Sequence, residues 1–483
     1  MSTMTTSTLA NLSIRTNDGG SATVPAEALE ALRGALRGTF CLPGDPAFET
    51  ARTVWNAMID RRPALIVRAA GAADVIRTVN LAREHKLLLS VRGGGHNIAG
   101  SAVCEGGLML DLTPMKSVHV DPAGRTVSVE PGATLGDLDR ETQMFGLSVP
   151  VGINSTTGIS GLTLGAGFGW TSRSLGLSID NLLSADVVTA DGKLLKAGPN
   201  QNADLFWAIR GGGGNFGVVT SFEFKLHPVG PEVMSGLIIH PLTQAKDLLR
   251  EYRRLAAEAP DELAIWFVMR KAPPLPFLPP DFHGAGMLAF AACYAGAVEA
   301  GQKAIAPLQK LGKPVADVMA PHPFVAWQSI LDPLLTAGLR NYWKSHFFTE
   351  INDAMIDILV EHANRLPSPH CEIAFAQLGG AINRIAPDAT AYPHRTAQFT
   401  INVHTRWEQA SEDVACIAWA RGLVEALAPH ATGGVYVNFM PDDESARVRT
   451  GAYGPNFDRL TQVKGKYDPA NLFRHNQNIA PKA

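Results

Sequence analysis

The sequence predicts an α+β fold, in which a strand-rich first part is followed by a domain whose antiparallel sheet is covered by helices. Three observations lead to this prediction. Short apolar runs separated by turn residues, such as the DPAG segment at 121–124, fill the chain up to residue 228. Beyond residue 228 the apolar runs lengthen and alternate with segments of helical periodicity. The length of 483 residues allows two or three domains.

The first part opens with one βαβ unit. Residues 64–70 and 87–91 are apolar runs, and residues 73–86 between them carry apolar side chains at helical spacing. After this unit the pattern predicts strands without helices. These strands are expected at residues 108–112, 118–120, 126–129, 185–190 and 193–196, the last two joined by the hairpin signal Asp191-Gly192.

The second part is predicted to alternate strands with helices. The strands are expected at residues 235–240, 263–270, 287–294, 372–377, 398–405 and 435–439. The helices are expected at residues 242–258, 298–311, 353–366 and 407–428. The proline-rich segment 272–281 lies between two predicted strands, which favours a hairpin loop over a ligand for a partner protein.

Composition excludes several classes of protein. The 42 Lys and Arg against 45 Asp and Glu give a formal charge of −3, which disfavours nucleic acid as a partner. No apolar run approaches the roughly 18 residues of a membrane span, and residues 1–16 carry no secretory signal, so we expect a cytoplasmic protein. The five cysteines lack metal-ligand spacing and are expected to be reduced core thiols, with no metal site.

Three glycine clusters carry most of the functional information. They are RGGGHNIAG at 92–100, GINSTTGISGLTLGAGFGW at 152–170 and RGGGGNFG at 210–217. Glycine lets backbone N–H groups approach a phosphate closely because no Cβ intervenes. Runs of three and four glycines favour a long anionic cofactor over simple tight turns.

Other cofactor and catalytic signatures fail in this sequence. Gly212, Gly214 and Gly217 formally match the G-x-G-x-x-G dinucleotide motif, but the next residues, VVTSFEFKL, alternate with the period of a strand rather than a helix. The sequence also has no phosphate-binding P-loop, no H-E-x-x-H and no G-x-S-x-G. His96, directly after three glycines, can be a structural hydrogen-bonding residue, a base or a covalent attachment point, and its spacing leaves these alternatives open.

Taken together, these motifs resemble a known family. RGGGHNIAG, the glycine ladder of 152–170, SIDNLLSADVVTADGK, DLFWAIRGGGGNFGVVTSFEF and YDPANLFRHNQNI occur in the order found in FAD-linked oxidases of the vanillyl-alcohol oxidase superfamily. The closest resemblance is to the berberine-bridge-enzyme-like branch, which includes 6-hydroxynicotine oxidase and oligosaccharide oxidases. The resemblance extends from about residue 45 to residue 480.

The resemblance implies a PCMH-type FAD-binding domain of two subdomains at residues 1–228 and 440–483, and a substrate-binding domain at residues 229–439. It implies FAD bound covalently through His96 only, because Asn154 stands where many members have a second, cysteinyl bond. We expect the site to be more open on that side of the flavin. The implied cofactor-binding residues besides His96 are Arg92, Gly93, Gly94, Gly95, Asn97, Gly152, Asn154, Thr157, Gly158, Gly161, Gly165, Gly217, Val219, Asn476 and Asn478.

The catalytic base is where the sequence departs from the family. Members commonly carry Y-x-N-Y, and this chain has Phe439 at the last position; Asn402 falls at a second position that often carries the polar catalytic group. Neither can abstract a proton. Strand periodicity places Asn402 and His404 on one face, and Tyr436 with Asn438 on one face of the next strand. We rank Tyr436 first and His404 second as acid–base candidates, and a substrate that deprotonates through water or its own phenol third. The alternative for Tyr436 is a packing role.

The resemblance implies an FAD-dependent oxidoreductase that transfers a hydride from a small molecule to the flavin, and it favours an oxidase over a dehydrogenase. Thr157 matches a position where a small side chain favours access of dioxygen as the electron acceptor. The substrate-domain sequence is rich in aromatic residues such as Trp266 and Trp343, which favours an aromatic, phenolic or alkaloid-like metabolite. Two alternatives stay open: an oxidase of sugar or oligosaccharide hydroxyls, and a flavin-binding protein whose active site has been lost.

Overall fold

The described part of the chain forms three β-sheets, two small strand pairs and the helices packed on them. A computed structural model describes residues 9–482, so residues 1–8, part of the N-terminal segment used for the localisation prediction, lie outside the described residues. Strands β1 (Leu12–Arg15) and β2 (Ser21–Val24) form a hairpin that is followed by helix α1 (Ala26–Ala35).

The first sheet contains four strands in the order β3-β4-β6-β5. Strands β4 and β5 both run parallel to β6, and α3 connects them, which confirms the predicted βαβ unit. Val75 and Val79 of α3 lie one helical turn apart and are fully buried. The elements are β3 (Thr39–Cys41), α2 (Phe48–Arg52), β4 (Leu65–Arg68), α3 (Ala72–Glu84), β5 (Leu89–Arg92) and β6 (Leu108–Asp111).

The second sheet is antiparallel, in the order β11-β10-β12-β8-β7. Its strands are β7 (Val118–Asp121), β8 (Thr126–Val129), β10 (Leu182–Val188), β11 (Leu194–Ala197) and β12 (Val218–Lys225). A separate pair joins β9 (Leu147–Ser148) to β13 (His227–Pro228). Because β12 follows the third glycine cluster directly, the strand context that excludes the nicotinamide-type motif is confirmed.

The prediction that helices are absent from this part of the chain is wrong. Helices α4 (Leu135–Gln143), α5 (Ile159–Leu164), α6 (Ser172–Leu175) and α7 (Ala203–Ile209) lie among these strands. Helix α4 begins with a capping box, in which Thr134 Oγ1 accepts from the Asp137 N–H and Asp137 Oδ2 accepts from the Thr134 N–H. This signal was present in the sequence.

The third sheet has eight strands and is antiparallel throughout. Its main order is β17-β14-β16-β15-β20-β21-β19, and β18 pairs with β14. The proline-rich segment connects β15 to β16, as predicted. The strands are β14 (Glu232–Pro241), β15 (Leu263–Lys271), β16 (Gly286–Tyr294), β17 (Ala316–Asp317), β18 (Ala320–Pro323), β19 (Arg340–Phe348), β20 (Glu372–Gln377) and β21 (Phe399–Trp407).

Helices cover one face of this sheet. Four of them, α8, α9, α11 and α12, share a buried apolar core with strand residues such as Phe267, Phe290 and Phe375. The opposite face points toward the first two sheets. The helices of this region are α8 (Ala245–Glu258), α9 (Val298–Gln309), α10 (Phe324–Gln328), α11 (Asp353–Ala363) and α12 (Asp413–Leu427).

Several elements of this region differ from the prediction. Strands β17, β18 and β19 and helix α10 were not predicted, and α12 begins at Asp413 because residues up to Trp407 belong to β21. Residues 435–439 do not form a strand: Val437–Phe439 is a short 3-10 turn. The residues alternate between apolar and polar as in a strand, but here the alternation fits packing around a turn and no sheet is formed.

The end of the chain returns to the second sheet. Helix α13 (Phe457–Tyr467) packs with α7, and Val435 and Val437 belong to the same apolar core as the second sheet. The domain boundary predicted at residues 439 and 440 falls in this segment and stays a prediction. Among the described residues no helix is long and apolar enough to cross a membrane, and the five cysteines are buried free thiols.

Candidate active site

A cavity of about 410 Å³ lies between the first two sheets and the uncovered face of the third. Its floor is formed by residues in segments 91–97, 152–164, 213–219 and 473–477. Its roof is the third sheet, and on β21 the lining residues Thr400, Asn402 and His404 alternate along the strand. The cavity therefore joins all three glycine clusters to the sheet predicted to bind substrate.

Most of the predicted cofactor-binding residues line the floor. They are His96, Gly93, Gly94, Gly95, Asn97, Gly152, Asn154, Thr157, Gly158, Gly161, Gly217, Val219 and Asn476. Among the described residues, Arg92, Gly165 and Asn478 stand outside the cavity lining. Arg92 donates from Nη1 to the Ala51 carbonyl (2.7 Å), and a Cβ on Gly165 would meet Asn438 at 2.1 Å, so these two residues hold the loops together.

Two glycines of the floor touch each other through their backbones. A Cβ on Gly94 would lie 2.4 Å from the Gly158 nitrogen, and a Cβ on Gly158 would lie 2.4 Å from the Gly94 nitrogen. A larger residue at either position would push the first two glycine loops apart. The requirement for glycine here thus includes loop-to-loop contact as well as the backbone access that the sequence indicated.

The floor also has the features of a dinucleotide cradle. Gly161 and Gly214 line the cavity, and a Cβ on either would meet no described atom within 4 Å. Asn476 Oδ1, in the lining of the same floor, is buried without a partner among residues 9–482. Bare backbone beside an unsatisfied buried polar atom suits a phosphate-containing cofactor with many hydrogen-bonding groups. The residues present therefore fit FAD.

His96 is held on the floor by two neighbours. Its ring stacks on Trp55 with centroids 4.9 Å apart and an interplanar angle of 21°. Its Nε2 lies 3.1 Å from Thr156 Oγ1. Burial lowers the pKa of His96 to about 4, so the ring is neutral near pH 7 and keeps one nitrogen lone pair.

Asn154 is not on an open side of the cavity, so that expectation is wrong. Asn154 is 8% exposed, and its Nδ2 donates to the Leu335 carbonyl at 3.4 Å. Leu331, Leu334 and Leu335 line the cavity at this side. A segment between α10 and β19 thus covers the position where the family's second bond would form.

The roof carries a row of ionisable groups across three strands. Strand register places Arg270 of β15 opposite Glu372 of β20, and Glu372 opposite His404 of β21. Arg270 Nη1 donates to Glu372 Oε2 at 2.7 Å, and His404 Nδ1 lies 2.8 Å from Glu372 Oε1. All three residues line the cavity and are at least 93% buried.

This row determines where the His404 proton lies. Burial raises the pKa of Glu372, but the Arg270 charge and the His404 hydrogen bond outweigh it and hold that pKa at about 2. Glu372 is therefore an ionised acceptor, and His404 Nδ1 must donate to it. His404 Nε2, which is buried without a partner among the described residues, carries the free lone pair. Burial lowers the pKa of His404, and Glu372 opposes that effect.

Tyr436 is arranged as a hydrogen-bond donor. Its hydroxyl oxygen accepts from the Gly167 N–H and from Asn438 Nδ2, both at 3.0 Å. Burial raises the pKa of Tyr436 to about 12, although both hydrogen bonds oppose the rise. The hydroxyl therefore keeps its proton near neutral pH. Asn438 still lies beside Tyr436, as predicted, but on a turn.

Aromatic side chains form much of the remaining wall. Trp266, Phe168 and Phe439 line the cavity beside Tyr436, and Phe168 contacts Trp266 and Phe439 at centroid distances of 5.8 and 6.1 Å. Trp343 meets His404 edge to face at 4.4 Å. Asn402 also lines the cavity, and its Oδ1 is buried without a partner among the described residues.

The sequence did not indicate three of these residues. Trp55, Arg270 and Glu372 line the cavity but lie outside the motifs. Arg270 and Glu372 sit on predicted strands, and a charged residue in an otherwise apolar strand is a signal that could have been used. Their pairing required the strand order, since the two are 102 residues apart.

A floor that fits a flavin dinucleotide, facing a roof with a buried histidine paired to a carboxylate, is an arrangement suited to an FAD-dependent oxidoreductase. Two family models match the chain, one described as an FAD binding domain at residues 63–198 and one described as berberine and berberine like at residues 435–480. The chain belongs to the berberine-bridge-enzyme-like FAD-linked oxidoreductases. This confirms the family, the fold and the enzyme class predicted from the sequence.

Alignments with similar proteins cover nearly the whole chain. An FAD-linked oxidoreductase of Dictyostelium discoideum is 35% identical over 432 residues, covering 88% of this chain and 91% of the relative. The (R)-6-hydroxynicotine oxidase of Paenarthrobacter nicotinovorans is 30% identical over 464 residues, covering 93% and 98%.

Two solved structures share the fold. The crystal structure of 6-hydroxy-D-nicotine oxidase from Arthrobacter nicotinovorans matches with a TM-score of 0.83 and 28% identity, covering 92% of this chain and 98% of that chain. A xylooligosaccharide oxidase from Myceliophthora thermophila, solved with xylobiose, matches with a TM-score of 0.82 and 25% identity, covering 94% and 99%.

Proposed function

We propose that the protein is an oxidase of a small aromatic, phenolic or alkaloid-like metabolite, with FAD as cofactor, dioxygen as electron acceptor and His404 as general base. The observation that carries this proposal is that Nε2 of the buried His404 has no partner within residues 9–482 and lies in a cavity walled by aromatic rings. FAD, when bound, supplies the two-electron acceptor. His404 removes the substrate proton, and Glu372 stabilises the resulting imidazolium.

His404 is preferred to Tyr436 on electrostatic grounds. A base must be deprotonated near the working pH, and Tyr436 has a pKa of about 12 with both of its acceptor positions occupied. His404 has a free lone pair and a carboxylate partner. Tyr436 instead offers its O–H to the substrate as a donor. The proposed order, His404 before Tyr436, is the reverse of the order predicted from the sequence.

The aromatic walls favour a flat substrate over a sugar. A sugar needs many polar partners along its length, whereas the polar roof groups here are confined to one row and the residues beside it. One relative is named for oxidation of (R)-6-hydroxynicotine, which agrees with an aromatic substrate. Another similar structure was solved with xylobiose, so sugars serve as the contrasting test substrates.

The proposal includes attachment of FAD through His96 alone. Asn154 occupies the position of the second bond and lacks a thiol, and the neutral ring of His96 has the lone pair that attachment needs. Thr157 lines the floor with a short side chain, which favours access of dioxygen. The buried free cysteines agree with a reducing, cytoplasmic location as part of the same proposal.

The experiment is a peroxide-release screen with purified protein. One set of substrates contains phenols, benzylic alcohols and hydroxylated nitrogen heterocycles, and the other contains lactose, cellobiose and xylobiose. We expect peroxide from the first set and anaerobic bleaching of the flavin by the same compounds. Turnover of sugars alone would show that the substrate is a sugar and not an aromatic metabolite. If the photoreduced flavin fails to reoxidise in air within seconds, the protein is not an oxidase.

Attachment is tested separately by acid precipitation. The wild-type protein is expected to retain its yellow colour and a mass increase of one FAD, whereas His96→Ala releases all flavin on denaturation. Covalent flavin in His96→Ala would assign the bond to another residue.

A further inference from the structure

His96, Thr156 and Asn154 form a continuous hydrogen-bonded chain on the floor. Thr156 Oγ1 lies 3.1 Å from His96 Nε2 and 2.6 Å from Asn154 Oδ1. Asn154 Oδ1 also accepts from the Thr156 backbone N–H at 3.0 Å, and Asn154 Nδ2 donates to the Leu335 carbonyl at 3.4 Å. A backbone N–H can only donate and a backbone carbonyl can only accept. These two partners therefore show which end of the Asn154 amide is the oxygen and which is the nitrogen.

The direction of every proton in this chain follows from those partners. A backbone N–H can only donate, so the Asn154 atom facing it is the oxygen, which can only accept. The Thr156 hydroxyl, 2.6 Å from the same oxygen, must direct its hydrogen there. Its lone pairs then face His96, so Nε2 of His96 carries the ring proton and donates it.

This arrangement leaves Nδ1 of His96 with the free lone pair. Nδ1 makes no hydrogen bond to any residue between 9 and 482, and stacking on Trp55 fixes the plane of the ring. The low pKa of His96 keeps the ring neutral, which preserves this tautomer across the neutral pH range.

We propose that Thr156 and Asn154 are positioning residues for flavin attachment, because they hold the His96 proton on Nε2 and leave Nδ1 as the nucleophile. The inference rests on the proposed covalent bond to His96. In that reaction an imidazole N–H and a C–H of the flavin 8α-methyl group are replaced by one N–C bond. The two hydrogens and their electrons reduce dioxygen to hydrogen peroxide, so the step balances.

The proposal gives Asn154 a role of its own. Many members of the family have a cysteine at this position, which forms a second bond to the flavin. Here the amide oxygen of Asn154 instead fixes the Thr156 hydroxyl, which in turn orients His96 for the first bond. Ser155, between the two positioning residues, bonds elsewhere: its N–H and hydroxyl both donate to Asp332. Ser155 is therefore a matched control that lies in the same turn without touching His96.

The test measures the rate at which added FAD becomes acid-stable in apoprotein. Thr156→Val removes the hydroxyl while keeping the shape, and Thr156 is exposed, so the core is undisturbed. We expect attachment to slow by about fivefold to tenfold, the effect of losing one hydrogen bond of ordinary strength. Thr156→Ser and Ser155→Ala should stay within about twofold of the wild type, and noncovalent FAD binding should not change.

Asn154 supplies the second variant. Asn154→Leu is expected to slow attachment like Thr156→Val, and Asn154→Asp, which keeps an acceptor oxygen, is expected to restore it at pH 8. Unchanged attachment in both Thr156→Val and Asn154→Leu would overturn the positioning role while leaving covalent attachment intact. Absence of covalent flavin in the wild-type protein would overturn the attachment proposal itself, and this inference with it.

Discussion

Two histidines face one cavity from opposite sides and are held by different chemistry. His96 on the floor donates to the hydroxyl of Thr156, whereas His404 on the roof donates to the carboxylate of Glu372. The rings of Trp55 and Trp343 connect them, with successive centroid distances of 4.9, 5.5 and 4.4 Å. The two imidazoles therefore share one cavity and one aromatic wall.

The difference lies in what each partner does to basicity. A neutral hydroxyl does not offset the burial of His96, so its pKa falls to about 4 and the ring stays neutral near pH 7. An ionised carboxylate opposes burial at His404 and stabilises the protonated ring. The direct partners, Thr156 and Glu372, differ in charge, and this difference gives the two buried imidazoles different basicity.

The largest expected effect separates the two histidines directly. His404→Ala should slow anaerobic flavin reduction by about 10² to 10⁴, the usual contribution of a general base, while the covalent flavin content stays that of the wild type. His96→Ala should show the reverse: loss of covalent flavin with a much smaller loss in reduction rate. Stopped-flow absorbance and acid precipitation measure the two quantities.

The exposed His119 on β7 is the matched control, since His119→Ala should change neither quantity. A loss of less than about threefold in His404→Ala would remove His404 as a base, because it falls far below the usual range.

A smaller effect is expected when only the partner changes. Glu372→Gln keeps an acceptor for His404 but removes the charge, so we expect reduction to slow by about 10- to 100-fold. It also leaves Arg270 buried without its counter-ion, which costs roughly 3–5 kcal/mol of unfolding free energy. Thermal unfolding measured beside the kinetics separates the two consequences.

The pH profile gives the sign of the electrostatic effect. Flavin reduction should rise with pH as His404 loses its proton. Because Glu372 raises the pKa of His404, its removal should move the acidic limb of the profile to lower pH. A limb that stays in place in Glu372→Gln would show that Glu372 does not control His404.

The floor could be predicted from the sequence more fully than the roof. The floor comes from contiguous motifs, so Gly94, His96 and Asn154 were identified by their neighbours in the chain. The roof row comes from three strands, and the pairs Arg270–Glu372 and Glu372–His404 exist only through strand register. No local pattern contains that information.

Two errors show where local patterns fail. The alternation in residues 435–439 is that of a strand, yet the backbone turns there so that Tyr436 can meet the Gly167 N–H. Strand β19 was missed because its buried polar residues, Lys344 and His346, interrupt the apolar pattern. Lys344 is satisfied by an ion pair with Glu444, 100 residues away, and His346 by the Val424 carbonyl.

A smaller effect again is expected at Tyr436. Tyr436→Phe removes one hydrogen-bond donor to the substrate and leaves the Gly167 N–H without its acceptor. We expect flavin reduction to slow by about three- to tenfold, in line with one hydrogen bond, and the pH profile to keep its shape. A loss of a hundredfold or more would return Tyr436 to the role of base and would break the contrast between the two histidines.

The smallest effect on the reaction is expected at Asp139. Asp139 and Glu372 form the same contrast as the two histidines, because one buried carboxyl has a neutral partner and the other has a charged one. Asp139 is buried, and among the described residues the one hydrogen bond to its carboxyl comes from the neutral amide of Gln328, at 3.1 Å. Burial therefore raises its pKa to about 7, whereas Glu372, paired with Arg270, is held at about 2.

Because the pKa of Asp139 is raised above the value of about 4 in an unfolded chain, the stability it gives is fully present below that pH and is lost as the pH rises through 7. Asp139→Asn should remove this loss, so thermal unfolding of the variant should depend less on pH between about 4 and 8. Flavin reduction should stay within about twofold of the wild type. An unchanged pH dependence of unfolding would mean that Asp139 is already ionised in the folded protein, and that a neutral amide partner can hold a buried carboxylate as well as Arg270 does.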